Sequence, residues 1–192
     1  MSSLAFMACS WLLNPLCFFL SPVALIVILG YSLTKRFTSL CHFVLGLGLS
    51  LAPIGAYIAV TGHFALVPVI FSFIVLFWTG GFDILYALQD ESFDKSHSLY
   101  SIPAAVGRRY AMSISNVAHV ATAILVIAVG FIASFPWLYW IGAFIFITLL
   151  YYQHSLVKPN DISKVNLAFA TSNGIASVIF GTITILSFVL IR

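Results

Sequence analysis

The sequence predicts an all-α, multi-pass transmembrane helical bundle. The chain has 192 residues, of which 62% are hydrophobic and only 7% are charged. A soluble domain carries about 25% charged residues, so this composition cannot cover a water-facing surface. Apolar stretches such as VPVIFSFIVLFW and ATAILVIAVGFIASF lack the two-residue alternation of a membrane β-barrel strand. Both observations favour helices that cross a lipid bilayer.

The apolar stretches divide the chain into six predicted spans within a single domain that covers 1–192. The first residues, MSSLAFMACSWLLN, are typical of the end of a further apolar helix and not of a cleaved signal peptide. The spans are expected at about 15–32, 40–61, 64–86, 111–133, 136–152 and 167–191. Tight connections at Gly62 and Pro136 alternate with longer polar connections at 33–39, 87–110 and 153–166.

The basic residues predict the orientation of the bundle. Seven of the eight lie in the three longer polar connections, and only Arg192 lies elsewhere. Because lysine and arginine concentrate in cytoplasmic loops, these connections are expected to face the cytoplasm of a bacterial inner membrane. Topology therefore accounts for the net charge of +3, and no basic stripe indicates nucleic-acid binding.

The acidic residues are unusually concentrated. Four of the five acidic residues lie in the acidic segment, defined here as residues 83–94, DILYALQDESFD. On a continuous helix, Asp83, Tyr86, Asp90 and Asp94 would share a stripe about 80° wide at the cytoplasmic end of span 64–86. Glu91 would point elsewhere. The spacing therefore aims three carboxylates and one phenol at one space.

Aligned carboxylates at a membrane edge repel one another unless a cation compensates them. Mg²⁺ accepts oxygen ligands and is commonly held by one or two carboxylates together with substrate phosphates. Asp83 and Asp94 would be about 16 Å apart on an unbroken helix, so one ion could not contact both. Either more than one ion binds, or the helix breaks before Asp94.

The acidic segment resembles the second aspartate motif, DxxYAxxDxxxD, of the UbiA superfamily of intramembrane aromatic prenyltransferases. Every specified position matches, including Ala87. Further stretches resemble the family in order: LGLGLSLAPIGAYIAV, SLYSIPAAVGRR and HSLVKPNDISKVNLAFATSNG. The last resembles the 4-hydroxybenzoate polyprenyltransferase-like branch, some members of which are assigned to menaquinone synthesis by the futalosine route.

The resemblance implies transfer of a polyprenyl group from polyprenyl diphosphate to an aromatic acid in ubiquinone or menaquinone biosynthesis. It implies Mg²⁺ held by Asp83, Asp90 and Asp94, with Tyr86 beside the allylic cation. The basic residues expected to contact the diphosphate are Lys35, Arg36 and Arg108. The residues expected to cap the site or orient the acceptor are His97, in the connection 95–106, and His154 and Asn173.

Two departures leave alternatives open. Family members have nine helices and a first aspartate motif, NDxxDxxxD, which this chain lacks, so it is expected to be N-terminally truncated and could be an inactive fragment. The acceptor could equally be a dihydroxynaphthoate. A cation transporter is the alternative from another class, although acidic residues in transporters usually lie at mid-membrane depth and not at a span's edge.

Overall fold

The computed structural model describes residues 1–190, apart from the side chains of 170–172. The described residues are helical, and their one β-type pairing is the isolated bridge between Lys158 and Asp161. The all-α class predicted from the composition is therefore confirmed.

The helices follow the chain as a series of hairpins. Their bounds are α1 Ser2–Leu13, α2 Pro15–Thr34, α3 Cys41–Thr61, α4 Leu66–Tyr86, α5 Glu91–Ser96, α6 Ile102–Ile132, α7 Trp137–Leu156, α8 Val165–Leu167 and α9 Ile175–Leu190. A 3₁₀ turn, Ala87–Asp90, joins α4 to α5, and a π-helical stretch, Ala168–Gly174, joins α8 to α9.

The predicted count of six spans is not confirmed. Four helical stretches in the described residues are long and apolar enough to cross a bilayer: Pro15–Thr34, Cys41–Thr61, Leu66–Ser96 and Ile102–Ile132. The predicted span 136–152 corresponds to α7, whose last turn carries polar residues and extends to Leu156. The predicted span 167–191 is divided by the π-helical stretch, which leaves 16 residues in α9, and residue 191 lies outside the described residues.

The connection 87–110 is largely helical, which corrects the predicted polar loop. The loop ends at Ser101, whose Oγ accepts a hydrogen bond from the Ala104 N–H at 3.3 Å and so caps the start of α6. Arg108 and Arg109 therefore lie on α6, just after a kink at Gly107, whose φ is 77°. Only glycine adopts this left-handed backbone readily.

Asn14 fixes the junction between the first three helices. Its Oδ1 caps α2 by accepting from the Cys17 N–H at 2.9 Å. Its Nδ2 donates to the Ile58 carbonyl at 2.8 Å, near the end of α3. One side chain thus pairs a free N–H at the start of α2 and links it to the end of α3, where the Ile58 carbonyl also accepts from the Gly62 N–H at 2.8 Å.

Close packing of α3 on α4 depends on Gly46. A Cβ at this position would lie 2.5 Å from the Leu76 carbonyl oxygen, which is backbone and cannot move aside. Gly46 therefore permits the close approach of the two helices, whereas a Cβ at Gly55 would meet nothing within 4 Å.

Two buried apolar clusters hold the bundle. One joins α4, α6, α7 and α9 and is built around Tyr139 and Phe146. The other lies at the end of the bundle where α4 finishes and α6 begins, and it includes Ile84, Leu88 and Ile102. The second cluster fixes the backbone directly after Asp83 and thereby sets the position of the acidic segment.

We expect Gly46→Ala to lower the free energy of unfolding by roughly 1–3 kcal/mol, because the added methyl group pushes α3 from α4. Gly55→Ala, in the same helix, is the matched control and should leave stability unchanged or slightly raised. Thermal unfolding in detergent compares them. Equal stability of the two variants would contradict this account of the α3–α4 contact.

Candidate functional site

Four helix ends meet at one end of the bundle and form the candidate site. Lys35 directly follows α2, His42 begins α3, Asp83 lies in the last turn of α4, and Ile102 begins α6. The acidic segment does not remain one helix: it passes through the 3₁₀ turn Ala87–Asp90 into α5. Of the two alternatives left by the sequence, the break before Asp94 is the one observed.

Asp83 is held by a histidine from the neighbouring helix. The Nδ1 atom of His42 lies 2.7 Å from Oδ2 of Asp83. On the other side of the ring, Nε2 accepts a hydrogen bond from the Ile102 N–H at 3.3 Å. The Asp83 side chain keeps 27% of its surface exposed, whereas His42 has 3%. The carboxylate therefore has one oxygen anchored and one side accessible.

Asp94 is fully buried, and its charge is compensated by Lys35. The Nζ atom of Lys35 lies 2.8 Å from Oδ1 of Asp94, whose side chain has no exposed surface. The approach is close enough for an ion pair, but neither carboxylate oxygen has a hydrogen-bond partner with proper angles in the described residues. A buried carboxylate with unfilled acceptor positions can accept further ligands.

Glu91 pairs with two basic residues. Its carboxylate contacts Lys95 Nζ at 2.7 Å and Arg108 Nε at 2.8 Å. Arg108, which the sequence predicted to contact the diphosphate, therefore lies against Glu91 of the acidic segment.

The other predicted charged residues are unpaired. Within the described residues, Asp90 and Arg36 take part in no ion pair; Asp90 is half-buried and Arg36 exposed. Both charges are available to a ligand that reaches this end of the bundle.

Tyr86 packs against the π-helical stretch. Its ring tilts against Phe169 with centroids 4.6 Å apart, and 37% of the residue remains exposed. The ring therefore lies on the side of α4 that faces the π-helical stretch.

Backbone hydrogen bonds hold the connection after α5 in place. The Tyr100 N–H donates to the Lys35 carbonyl at 2.7 Å, and the Leu99 N–H donates to the Asp94 carbonyl at 2.9 Å. His97 is exposed and stacks on Phe93 with ring centroids 4.0 Å apart. This segment covers the buried Asp94, as a cap would, with His97 on its outer side.

An apolar cavity of about 620 Å³ adjoins the site between α3, α4 and α9. Thr79 and Phe82, in the turn of α4 before Asp83, contribute to its wall. Asn173 lines the same cavity and is only 8% exposed, yet neither polar atom of its amide has a partner in the described residues. A second apolar cavity of about 480 Å³ lies between α1, α2 and α3.

His154 belongs to a separate buried polar cluster. Its Nε2 lies 2.7 Å from Nδ1 of His119, and the amide nitrogen of Gln153 lies 2.9 Å from the same atom. His119 also contacts the Trp78 carbonyl at 3.2 Å through Nε2. Trp78 lines the 620 Å³ cavity, so this cluster lies behind the cavity wall.

The donor set fits a hard divalent cation, with one restriction. Asp83 and Asp90 offer accessible carboxylate oxygens, which Mg²⁺ prefers. The described residues include no group of three or more histidine, cysteine, aspartate or glutamate side chains close enough to hold a metal ion. A cation here would therefore need oxygens from a bound ligand in addition to those of the protein.

Sequence reasoning missed His42. The signal was present, because an ionisable residue at the start of an apolar helix, shortly after Lys35 and Arg36, marks a functional position by default.

The family model described as "UbiA prenyltransferase family" matches residues 1–181. The chain belongs to this family. Among its relatives, the 4-hydroxybenzoate octaprenyltransferase of Neisseria meningitidis serogroup B is 30% identical over 175 residues, covering 89% of this chain and 57% of that protein. The enzyme of the same name from Methylobacillus flagellatus is 29% identical over 168 residues, covering 88% of this chain and 56% of that protein.

A solved structure agrees with this membership. The apo structure of a UbiA homolog from Aeropyrum pernix K1 superposes with a TM-score of 0.85 at 27% identity, covering 97% of this chain and 69% of that chain. The chain thus spans a little over half the length of the curated relatives it matches. Its apolar helices and its family make it an integral membrane protein.

We expect Lys35→Ala to destabilise the protein by about 3–5 kcal/mol, because it leaves the buried Asp94 carboxylate uncompensated. Adding Asp94→Asn should recover most of the loss. Arg36→Ala, which removes a neighbouring but unpaired charge, is the control. Chemical denaturation in detergent gives the double-mutant cycle, and additive effects of Lys35→Ala and Asp94→Asn would rule out the ion pair.

Proposed function

We propose that this chain forms the diphosphate-binding half of a membrane prenyltransferase that transfers a polyprenyl group to an aromatic acid in quinone biosynthesis. The observation that carries the proposal is the Asp83 carboxylate, whose Oδ2 is anchored by His42 and whose side chain stays partly exposed, directly after Phe82 in the wall of an apolar cavity. Membership of the UbiA family and relatives named 4-hydroxybenzoate octaprenyltransferase support it.

Asp83, Asp90 and Asp94 are the proposed metal ligands. Bound Mg²⁺ would neutralise the charge that develops on the departing diphosphate. Asp83 and Asp90 are each partly exposed and could meet a cation carried by a bound diphosphate. Asp94 would join them only when Lys35 moves away, since this lysine now compensates its charge.

The basic residues bind the diphosphate in this proposal. Arg36 is unpaired and offers a planar guanidinium that can grip two phosphate oxygens. Lys35 and Arg108 now contact Asp94 and Glu91. A cation at the acidic segment would weaken the hold of its carboxylates on both residues, because it competes for the same oxygens. The Lys35 and Arg108 side chains would then turn towards the phosphates.

The two cavities suit the organic parts of the substrates. A polyprenyl tail is apolar, and the 480 Å³ cavity between α1, α2 and α3 is lined almost entirely by aliphatic and small residues. The 620 Å³ cavity is in the range of small-molecule sites and contains the unpaired amide of Asn173. We assign the aromatic acid to this cavity, with the amide on its carboxylate or hydroxyl group.

Tyr86 and the connection between α5 and α6, residues 97–101 and called here the capping segment, would protect the allylic cation. An aromatic ring stabilises a nearby carbocation through its face, which is the role proposed for Tyr86. The fastened backbone of Leu99 and Tyr100, with His97 on its outer side, would keep water from the allylic cation. In the aromatic substitution a carbon–carbon bond forms, the carbon–oxygen bond to the diphosphate breaks, and the ring loses a proton to solvent once the new bond has formed.

The site is proposed to face the cytoplasm, on the side where Lys158 and Lys164 also lie, within one domain that covers 1–192. The first aspartate motif is absent from this chain. The carboxylates of the acidic segment would therefore have to hold the cation, and through it the diphosphate, by themselves. A dihydroxynaphthoate would satisfy the same cavity, so the acceptor must be identified by assay.

We expect Asp83→Asn to reduce Mg²⁺-dependent prenyl transfer by at least about 100-fold, since a neutral amide binds Mg²⁺ weakly and no longer balances its charge. Membranes containing the chain would be supplied with polyprenyl diphosphate and, separately, with 4-hydroxybenzoate or dihydroxynaphthoate. Product formation measured by mass spectrometry identifies the preferred acceptor.

Asp161→Asn is the matched control. Asp161 is exposed, and hydrogen bonds from Ser163 lower the pKa of its carboxyl group. An amide oxygen can still accept these bonds, so this variant should keep wild-type transfer. Full transfer by Asp83→Asn, or no transfer by the wild-type chain with either acceptor, would refute the proposed function.

A further inference from the structure

We propose that His42 is a positioning residue: it fixes the Asp83 carboxylate against the start of α6 and so presents one oxygen to the divalent cation and diphosphate. The inference rests on the proposed function, because it assigns Asp83 a ligand to hold.

The contacts determine which ring nitrogen carries the proton. A backbone N–H can only donate, so Nε2 of His42, which lies 3.3 Å from the Ile102 nitrogen, must be the bare acceptor. A neutral imidazole then carries its proton on Nδ1, which lies 2.7 Å from Oδ2 of Asp83 and donates to it. The backbone of α6 thus selects the tautomer that binds the aspartate.

The hydrogen bond leaves a defined half of the carboxylate for a ligand. Oδ2 is engaged by His42, while Oδ1 makes no hydrogen bond to the described residues. Without the histidine, the carboxylate could rotate about its last torsion, and the buried Ile102 N–H would lose its acceptor. Partners of this kind, which orient a ligating group, typically change metal affinity or activity by about 10–100-fold.

The same ring links Asp83 to the capping segment. Ile102 immediately follows Ser101, which has no exposed surface. The adjacent Cys41 thiol lies 3.5 Å from the Tyr100 carbonyl, and the Tyr100 N–H binds the Lys35 carbonyl at 2.7 Å. A displacement of the capping segment would therefore be transmitted through His42 to the carboxylate.

Two substitutions test the contacts of the two His42 ring nitrogens separately. In His42→Asn the amide nitrogen can occupy the place of Nδ1, which keeps the donor to Asp83 and removes the acceptor for Ile102. In His42→Gln the longer amide reaches the place of Nε2, which keeps an acceptor for Ile102 and removes the donor to Asp83. If His42 had only a structural role, His42→Gln would be the better replacement, because it keeps an acceptor for the buried Ile102 N–H.

The first test needs neither metal nor substrate. The chain contains five histidines, so selective ¹⁵N labelling of the detergent-solubilised protein gives a small set of ring resonances, assigned with His42→Gln. We expect His42 to carry its proton on Nδ1, with a strongly deshielded proton resonance that moves upfield in Asp83→Ala. A proton on Nε2, or a resonance unaffected by Asp83→Ala, would overturn the inference.

The second test measures the Mg²⁺ concentration that gives half-maximal transfer. We expect His42→Gln to raise it about tenfold with an unchanged KM for the acceptor, whereas His42→Asn stays within about threefold of wild type. His63→Gln, at an exposed histidine near the opposite end of α3, is the control. Equal Mg²⁺ requirements in both His42 variants would overturn the inference. A wild-type chain without transfer refutes the proposed function instead, and the histidine spectrum then decides whether His42 holds Asp83.

Discussion

The need to compensate carboxylates in an apolar chain governs the end of the bundle where four helices meet. Asp94 has no exposed surface and depends on Lys35, while Asp83 depends on His42. Each partner comes from a helix or connection earlier in the chain, so the two contacts tie the end of α2 to α5 and α3 to the end of α4. The desolvation cost of an unpaired buried charge is several kcal/mol, which makes the Lys35–Asp94 contact a requirement of the fold as well as a feature of the site. The candidate site is thus built from the interactions that stabilise this end of the bundle.

Much of this arrangement could be predicted from the sequence. The low charge content indicates a membrane bundle, and the acidic segment with Lys35 and Arg36 indicates where the charged groups gather. Sequence periodicity could not show that the helix would break at Ala87–Asp90, because neither glycine nor proline marks the place and burial of Leu88 accompanies the turn. Nor could it show that His42 faces Asp83, since contacts between residues 41 positions apart arise from helix packing.

The charged groups are arranged in pairs that a ligand could redistribute. Lys35 and Arg108 now neutralise Asp94 and Glu91, whereas Arg36 and Asp90 take part in no ion pair with another described residue. A cation and a diphosphate arriving together would supply each member of these pairs with a new partner of opposite sign. The chain covers 56% to 61% of the length of the matched 4-hydroxybenzoate octaprenyltransferases, so prenyl transfer by this chain is a proposal that the exchange of partners would support.

The central claim is that the acidic segment binds a divalent cation together with a prenyl diphosphate. Electron paramagnetic resonance of Mn²⁺ tests it directly. The sample contains the purified chain in detergent and a polyprenyl thiolodiphosphate, an analogue that does not release its diphosphate to form an allylic cation. The account predicts that Mn²⁺ becomes protein-bound only when the analogue is present, and that Asp83→Asn combined with Asp90→Asn abolishes the bound signal. A bound signal that survives the double substitution, or no bound signal in the wild-type chain with the analogue, would contradict it.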